Sequence, residues 1–265
     1  MRGTTCAAAN WRVGTPLLGT GALAAEEAFA EIDRALRAGI HGFALAGRHD
    51  HMGCLRAWNS AVGAAVRGGR IHREAIVTAL GVGFFAFDGP PGSDPRGRLI
   101  REWVLPGDLD REAFVGSSYC IAPRFLERQI EEGLSAGGLD HCEIVWIEAP
   151  EIARAEFGAM GFLERLGLAF ETFERERANG RIGGYGLAVG RGLDAPPDRA
   201  DALDLDAVLR FAERVGGSGH GCRFLRVGAA GRAAAQRARL SGWTVFGDAG
   251  AEIHDAPRGH DWSRD

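Results

Sequence analysis

Short apolar, β-rich runs alternate with amphipathic helical runs along most of the chain, and this alternation limits the possible folds more than any other feature. Such a pattern indicates βα units that build a parallel sheet covered by helices. Seven strands are predicted, at Pro16–Gly21, Gly39–Ala46, Ala75–Phe85, Glu143–Glu148, Gly183–Val189, Arg223–Val227 and Trp243–Asp248. Six helices are predicted, at Ala25–Ala38, Leu55–Arg67, Pro123–Ala136, Phe162–Ala178, Leu205–Val215 and Arg232–Leu240. The sequence therefore predicts an α/β fold of the TIM-type (β/α) barrel class.

A single domain accounts for the 265 residues, because an α/β barrel of about this size is one folding unit. We expect the barrel to span residues 1–250, followed by a polar C-terminal tail at 251–265 that shows no eighth strand. The last βα unit is therefore predicted to be missing, and we expect a homodimer or a partner protein to cover the open barrel edge. Residues 86–120 are too long for an ordinary βα connection and are predicted to form a loop over the barrel mouth.

Composition limits the expected partners, the cellular compartment and the available nucleophiles. The formal net charge of −4 gives no reason to expect nucleic acid or an anionic membrane surface. The N-terminal residues lack an apolar run long enough for a signal peptide or a membrane span, so we expect a cytoplasmic protein. The five cysteines are scattered, which favours reduced thiols over a disulfide framework. All basic side chains apart from histidine are arginines, so a lysine nucleophile is excluded.

Several segments in chain order carry a family resemblance. These are Leu17–Gly21, Ala35–Ile40, Arg73–Val77, Gln129–Val145 and Gly180–Ala188. The stretch QIEEGLSAGGLDHCEIVWIEAPE is the most specific of them, because it combines a helix, a leucine-glycine turn, an aspartate and a strand. Between about residues 14 and 250 the chain resembles the aldo-keto reductases, which implies their barrel fold.

The catalytic positions of that family are altered in this chain. Aldo-keto reductases use aspartate, tyrosine, lysine and histidine, with tyrosine giving the proton while NADPH delivers hydride. The aspartate position falls on Ala44 and the tyrosine position on His49. The lysine position falls on Leu80 or Gly81, and the histidine position on Glu148. The resemblance therefore implies a divergent relative that has lost the carbonyl-reducing tetrad.

The cofactor positions differ in the same way. The family's serine and asparagine that hold the nicotinamide amide fall near Ala188 and Val189, and its glutamine falls on Arg226. The family's adenine-binding segment lies around a last strand and helix that the sequence does not show. We therefore expect no cofactor.

Residues that replace the tetrad suggest other chemistry. Histidine ordinarily titrates near neutrality, so His49 is predicted to be a general acid or base, with Glu148 as its partner. His51 lies beside it in the predicted loop after the second strand and is assigned to substrate binding. The alternatives are a solvated pair of loop histidines and a metal site made by His49, His51 and Glu148, for which no second-shell partner is visible.

Four other residues complete the predicted site. Tyr119 follows the long loop and is predicted to donate a proton, with packing as the alternative. Arg226 is predicted to bind a carboxylate or phosphate of the substrate, or else to form an internal salt bridge with Glu148 or Asp248. Trp103, near Phe84, Phe85 and Phe87, is predicted to line an apolar pocket or to pack in the core. Asp248 is assigned to substrate binding.

Together these features predict a redox-inactive homologue whose barrel mouth binds a small metabolite. The expected chemistry is cofactor-independent acid/base catalysis of the cyclase, dehydratase, isomerase or lyase type. One alternative is a non-catalytic partner or scaffold protein. Another is an NADPH-dependent oxidoreductase with an unusual active site.

Overall fold

The computed structural model describes residues 17–20, 23, 25–45, 51–85, 94–116, 118–190, 192–193, 195–228, 237–239 and 241–247. The elements follow in chain order as β1 (Leu17–Gly19), α1 (Ala25–Arg37), β2 (Gly42–Leu45), α2 (His51–Arg67), β3 (Val77–Val82), α3 (Pro95–Leu99), β4 (Phe114–Val115), β5 (Tyr119–Cys120), α4 (Pro123–Gly137), β6 (Cys142–Glu148), α5 (Glu151–Ala178), β7 (Ile182–Val189), α6 (Leu205–Gly216), β8 (Cys222–Val227) and β9 (Thr244–Gly247).

Seven of these strands form one parallel sheet in the order β1-β2-β3-β6-β7-β8-β9. They are the seven strands that the sequence predicts. Helices α1, α2, α4, α5 and α6 lie in the connections, as βα units require. The predicted α/β barrel class is confirmed.

The sheet separates two apolar clusters because side chains of a strand alternate between its faces. The larger cluster packs the outer face against the helices. The smaller one faces the barrel interior and consists of Leu17, Ala44, Val77, Ala79, Ile144, Trp146, Ala188 and Phe246, with Phe224 packed against it. Leu17 belongs to β1 and Phe246 to β9, so the two ends of the sheet contribute to the same cluster. The sheet is therefore curled rather than flat.

Two helices begin earlier than the sequence predicts. Helix α2 begins at His51 instead of Leu55, so His51 is its first residue and does not lie in a loop. Helix α5 begins at Glu151 instead of Phe162, and it contains a break at Gly158, whose φ of 69° and ψ of 178° are not helical. No helix in the described part of the chain has the length and apolar character needed to cross a bilayer.

The segment between β3 and α4, expected to be a loop, contains secondary structure in its described part. Helix α3 begins after Asp94, whose carboxylate accepts a hydrogen bond from the Gly97 N–H at 2.8 Å, and a π-helical turn follows at Ile100–Val104. Strands β4 and β5 then form an antiparallel hairpin. The Cys120 N–H donates to the Gly83 carbonyl at 2.8 Å, which attaches β5 to the chain just beyond β3. The hairpin is thus anchored at the carboxyl end of a barrel strand.

Gln129 of α4 strengthens this attachment. Its side-chain oxygen accepts from the Gly83 N–H at 2.7 Å, and its side-chain nitrogen donates to the Phe84 carbonyl at 2.5 Å. Both polar atoms of the amide are therefore used to hold the turn after β3. Gly83 has a φ of 116°, which a residue with a side chain rarely adopts.

Candidate functional site

An ion pair lies at the carboxyl ends of the barrel strands, which we call the barrel mouth. Glu148 is the last residue of β6, and Arg226 lies near the end of β8. Both residues pair in register with Ala188 on the intervening strand β7. Because Ala188 has only a methyl group, the two longer side chains can meet across it. The Arg226 Nη1 atom lies 3.4 Å from the Glu148 Oε1 atom.

This ion pair is largely shielded from water. The Arg226 side chain is 25% exposed and the Glu148 side chain 19% exposed. The guanidinium carbon lies 5.6 Å from the centre of the Trp146 ring, on the interior face of the sheet. A side chain at Gly19 would place its Cβ atom 3.9 Å from Arg226 Nη2, so β1 also approaches the pair. Residues of β1, β6, β7 and β8 therefore lie around a carboxylate and a guanidinium. They do so at the end where βα barrels place their active sites.

The turn after Glu148 has an unusual backbone. Ala149 has a φ of 45°, a conformation that is rare for residues other than glycine. Its N–H donates to the Ala188 carbonyl at 2.8 Å, which continues the β6–β7 pairing past Glu148. Glu151 then accepts a hydrogen bond from the Gly190 N–H at 2.9 Å. Strained backbone persists only where surrounding contacts hold it in place, and it is often found next to functional side chains.

Glu151 is a carboxylate just after the mouth end of β6 that the sequence reasoning did not include. The signal was present, because EAPE places a second carboxylate three residues after Glu148. Trp146 was also missed, although the two-residue period of β6 puts it on the same face as Glu148. The Trp146 indole N–H is buried and has no hydrogen-bond partner among the described residues.

Tyr119 lies beneath the turn after β3 rather than on the surface of the mouth. It is 1% exposed, its ring meets Phe84 edge-on, and a Cβ atom on Gly83 would lie 3.2 Å from its ring. The hydroxyl has no hydrogen-bond partner among the described residues. Burial raises the pKa of Tyr119 well above its ordinary value, and the charges of Glu151 and Glu148 raise it further. Tyr119 is thus near Glu148 but covered.

The other predicted residues are not brought to the ion pair by any described contact. Trp103 is buried against Phe125 of α4, with the Arg128 guanidinium over its ring at 4.7 Å, so its described contacts are those of a core residue. The side chain of His51 is not described. His49 and Asp248, together with Phe87, lie outside the described residues. Of the two roles expected for Arg226, the internal salt bridge with Glu148 is present.

The described residues bear on thiol chemistry, whereas His49 of the alternative metal site lies outside them. No group of three histidine, cysteine, aspartate or glutamate side chains suited to a metal ion occurs in the part of the chain that the structure describes. Burial raises the pKa of the Cys120 thiol to about 12, and it does the same for Cys142. Thiols with such pKa values are protonated near neutrality and are poor nucleophiles.

Solved structures with the same arrangement of strands and helices were found by comparison. One is the holo form of an aldo-keto reductase from Bacillus halodurans, with a TM-score of 0.56 and 12% identity. The fold is that of the aldo-keto reductases. The other is a protein assigned as a 2,5-diketo-D-gluconic acid reductase B, with a TM-score of 0.53 and 13% identity. The resemblance of the sequence to this superfamily is thereby confirmed at the level of the fold.

The alignments cover a larger share of this chain than of the two solved structures. The alignments cover 90% and 87% of this chain, but 62% and 60% of the two reductases. This chain thus spans about three fifths of the length of the aldo-keto reductases it matches. No protein-family model matches the sequence, and no curated protein matches it.

Two strand ends at the described mouth bear on the nicotinamide that the aldo-keto reductase fold implies. A nicotinamide amide needs both a hydrogen-bond donor and an acceptor from the protein. At the end of β7, Ala188 and Val189 are buried and have side chains without hydrogen-bonding atoms. At the end of β8, Arg226 is a donor without acceptor capacity and is ion-paired with Glu148. The side chains at the end of β7 therefore contribute nothing to binding of the amide.

Proposed function

We propose that this protein carries out non-redox acid/base chemistry on a small metabolite at the barrel mouth. The observation that supports the proposal most directly is the ion pair between Glu148 and Arg226, which lies where aldo-keto reductases and other βα barrels carry out catalysis. Glu148 stands where the aldo-keto reductase tetrad has histidine, and the chain contains no lysine that could complete the tetrad. The class of reaction is isomerisation, dehydration, cyclisation or a lyase reaction, without a cofactor.

The two side chains have complementary roles in such a reaction. The Glu148 carboxylate takes a proton from a carbon next to a carbonyl or carboxyl group. The electron pair of the broken C–H bond forms a C=C bond, and the π electrons of the C=O bond move onto the oxygen. The Arg226 guanidinium stabilises the negative charge on that oxygen. The protonated Glu148 then returns the proton to another carbon, or it protonates a leaving group whose bond to carbon breaks. His49 is retained in the proposal as a second acid or base.

The proposal also includes the cellular compartment in which the reaction takes place. Cys54, Cys120, Cys142 and Cys222 are buried thiols rather than disulfide partners, which suits a reducing compartment. We therefore place the protein in the cytoplasm, where small carboxylic and carbonyl metabolites are available.

A direct test follows proton exchange rather than product formation. The protein is incubated in D₂O with a panel of small carbonyl compounds and carboxylic acids, and the loss of each C–H signal is followed by proton NMR. We expect exchange without NADPH, and a decrease of about a hundredfold or more in Glu148→Gln. Glu171→Gln removes an exposed carboxylate from α5 and serves as the control.

Two results would contradict the proposal. One is exchange in Glu148→Gln at the wild-type rate, which would place the proton-transferring group elsewhere. The other is consumption of NADPH with a carbonyl substrate, which would support the alternative of an oxidoreductase with an unusual active site.

A scaffold role is the second candidate, and one observation favours it. Glu148 and Arg226 neutralise each other, as expected for an ion pair that has only a structural role. In this case β1 and β9, each paired with one described neighbour, are the edges that a second copy or a partner protein would cover. Absence of exchange over the whole panel, together with a stable dimer in light scattering, would favour this candidate.

A further inference from the structure

Three buried or half-buried polar groups are grouped around the interior end of the mouth. They are the Arg226 guanidinium, the Trp146 indole N–H and the Glu148 carboxylate. Two of them are hydrogen-bond donors that have no acceptor role, since neither a guanidinium nor an indole N–H can accept. The third is the group to which we assign proton transfer.

The Trp146 N–H differs from the other buried indoles in its location. Trp58, Trp103 and Trp243 also have indole N–H groups without a partner among the described residues. Those three belong to the cluster between the sheet and the helices, whereas Trp146 belongs to the interior cluster. A buried donor without a partner is costly, so its retention on the interior face, two residues before Glu148, calls for an explanation.

We propose that Arg226 and Trp146 form a subsite for the carboxylate of the substrate, next to Glu148. This inference rests on the proposed function and narrows it to carboxylic acids. A carboxylate has two oxygens, which accept hydrogen bonds from a guanidinium and from a neighbouring N–H together. A guanidinium has five N–H donors in a planar fork, so Arg226 can contact Glu148 and a ligand carboxylate in the same complex.

Small residues lie on the interior face at this end of the sheet. Gly19 has no side chain where it faces Arg226, and Ala44 and Ala188 contribute only methyl groups to the interior cluster. Ala44 pairs in register with Gly19, and Ala188 pairs with both residues of the ion pair. A carboxylate bound there places its neighbouring carbon beside Glu148, which is the carbon whose proton the reaction removes.

The test uses the indole N–H as a direct reporter. The full chain is labelled with ¹⁵N at tryptophan, and the Trp146 cross-peak is assigned by its loss in Trp146→Phe. Benzoate and pyruvate are titrated against the neutral analogues benzamide and pyruvamide. We expect a saturable downfield shift of the Trp146 proton with the two carboxylates only, because hydrogen bonding to an anion deshields the N–H.

Charge variants separate a specific subsite from general attraction. Arg226→Gln should weaken carboxylate binding at least about tenfold, since it removes a charge-assisted hydrogen bond to the ligand. Arg223→Gln removes the same charge from an exposed position in the same strand and should leave binding unchanged. If Arg226→Gln does not fold, Arg226→Lys keeps the charge without the planar fork and should still weaken binding.

Two outcomes would overturn the subsite. They are a Trp146 peak that does not move at high millimolar carboxylate, and equal binding of carboxylates and amides. The two proposals can fail separately. Carboxylate binding without proton exchange would refute the proposed function and keep the subsite, whereas exchange on neutral carbonyl compounds alone would refute the subsite and keep the function.

Discussion

Disruption of the Glu148–Arg226 ion pair should cost stability that can be attributed to the pair itself. Two unit charges about 4 Å apart attract by ~4 kcal/mol at an effective dielectric constant of ~20. Removal of both groups from water offsets much of that attraction. With the atoms 3.4 Å apart and the side chains 25% and 19% exposed, the pair lies between the surface and the fully buried case. We expect a coupling free energy of about 1–2 kcal/mol.

A double-mutant cycle measures this coupling. The free energy of unfolding is obtained from urea denaturation, followed by circular dichroism, for wild type, Glu148→Gln, Arg226→Gln and the double variant. Glu31 and Arg34, which form an exposed pair about one helical turn apart in α1, provide a matched cycle. Their coupling should be only about 0.3–0.5 kcal/mol.

Salt should also distinguish the two pairs, because exposed charges are screened by mobile ions and enclosed charges much less. We expect 0.5 M sodium chloride to abolish most of the Glu31–Arg34 coupling and to leave most of the Glu148–Arg226 coupling. A coupling for Glu148 and Arg226 that is no larger than that of the surface pair, or equally sensitive to salt, would refute the inference that the barrel mouth encloses this ion pair.

Three further outcomes are expected. NADPH should not bind with useful affinity, and a dissociation constant in the low micromolar range by calorimetry, which corresponds to about 8 kcal/mol, would contradict this. Tyr119→Phe should leave the free energy of unfolding unchanged or raise it by up to about 1 kcal/mol, because the buried hydroxyl has no partner among the described residues; a loss above that size in urea denaturation would show a missed contact. Burial lowers the pKa of His220, so the unfolded chain binds its proton more readily; stability from this residue is present above the ordinary histidine pKa of 6.5 and decreases as the pH falls through the lowered value. Urea denaturation between pH 7.5 and 5 should show a smaller loss of stability in His220→Gln than in wild type, and identical profiles would count against the prediction.

The strands could be predicted from the sequence because each has a short apolar run between turn residues. Strand β6 is an example, since Cys142–Glu148 is apolar at most positions and continuous. The start of α2 could not be predicted from the sequence, because His51, Gly53 and Cys54 are weak helix formers. Tertiary contacts stabilise the first turn of this helix, since Cys54 is buried and its thiol donates to the Leu23 carbonyl at 3.2 Å.

The candidate site was only partly predictable for a similar reason. The sequence places Glu148 and Arg226 at strand ends, but it does not give the register between strands. Their contact depends on that register and on the small size of Ala188 between them. The left-handed backbone of Ala149 gives no sequence signal at all, because an alanine ordinarily avoids it. The two-residue strands β4 and β5 are too short to show a period.

The order of the strands in the parallel sheet has a consequence for local unfolding. Each strand pairs with its neighbours in the chain, apart from the hairpin inserted between β3 and β6, so every pairing closes only one βα connection. Opening can therefore begin at β9, which has one neighbour among the described strands, without disturbing the pairings further in. The ion pair joins β6 to β8, and neither is an edge strand. Amide hydrogens of β9 can exchange with solvent while the Glu148–Arg226 contact remains formed.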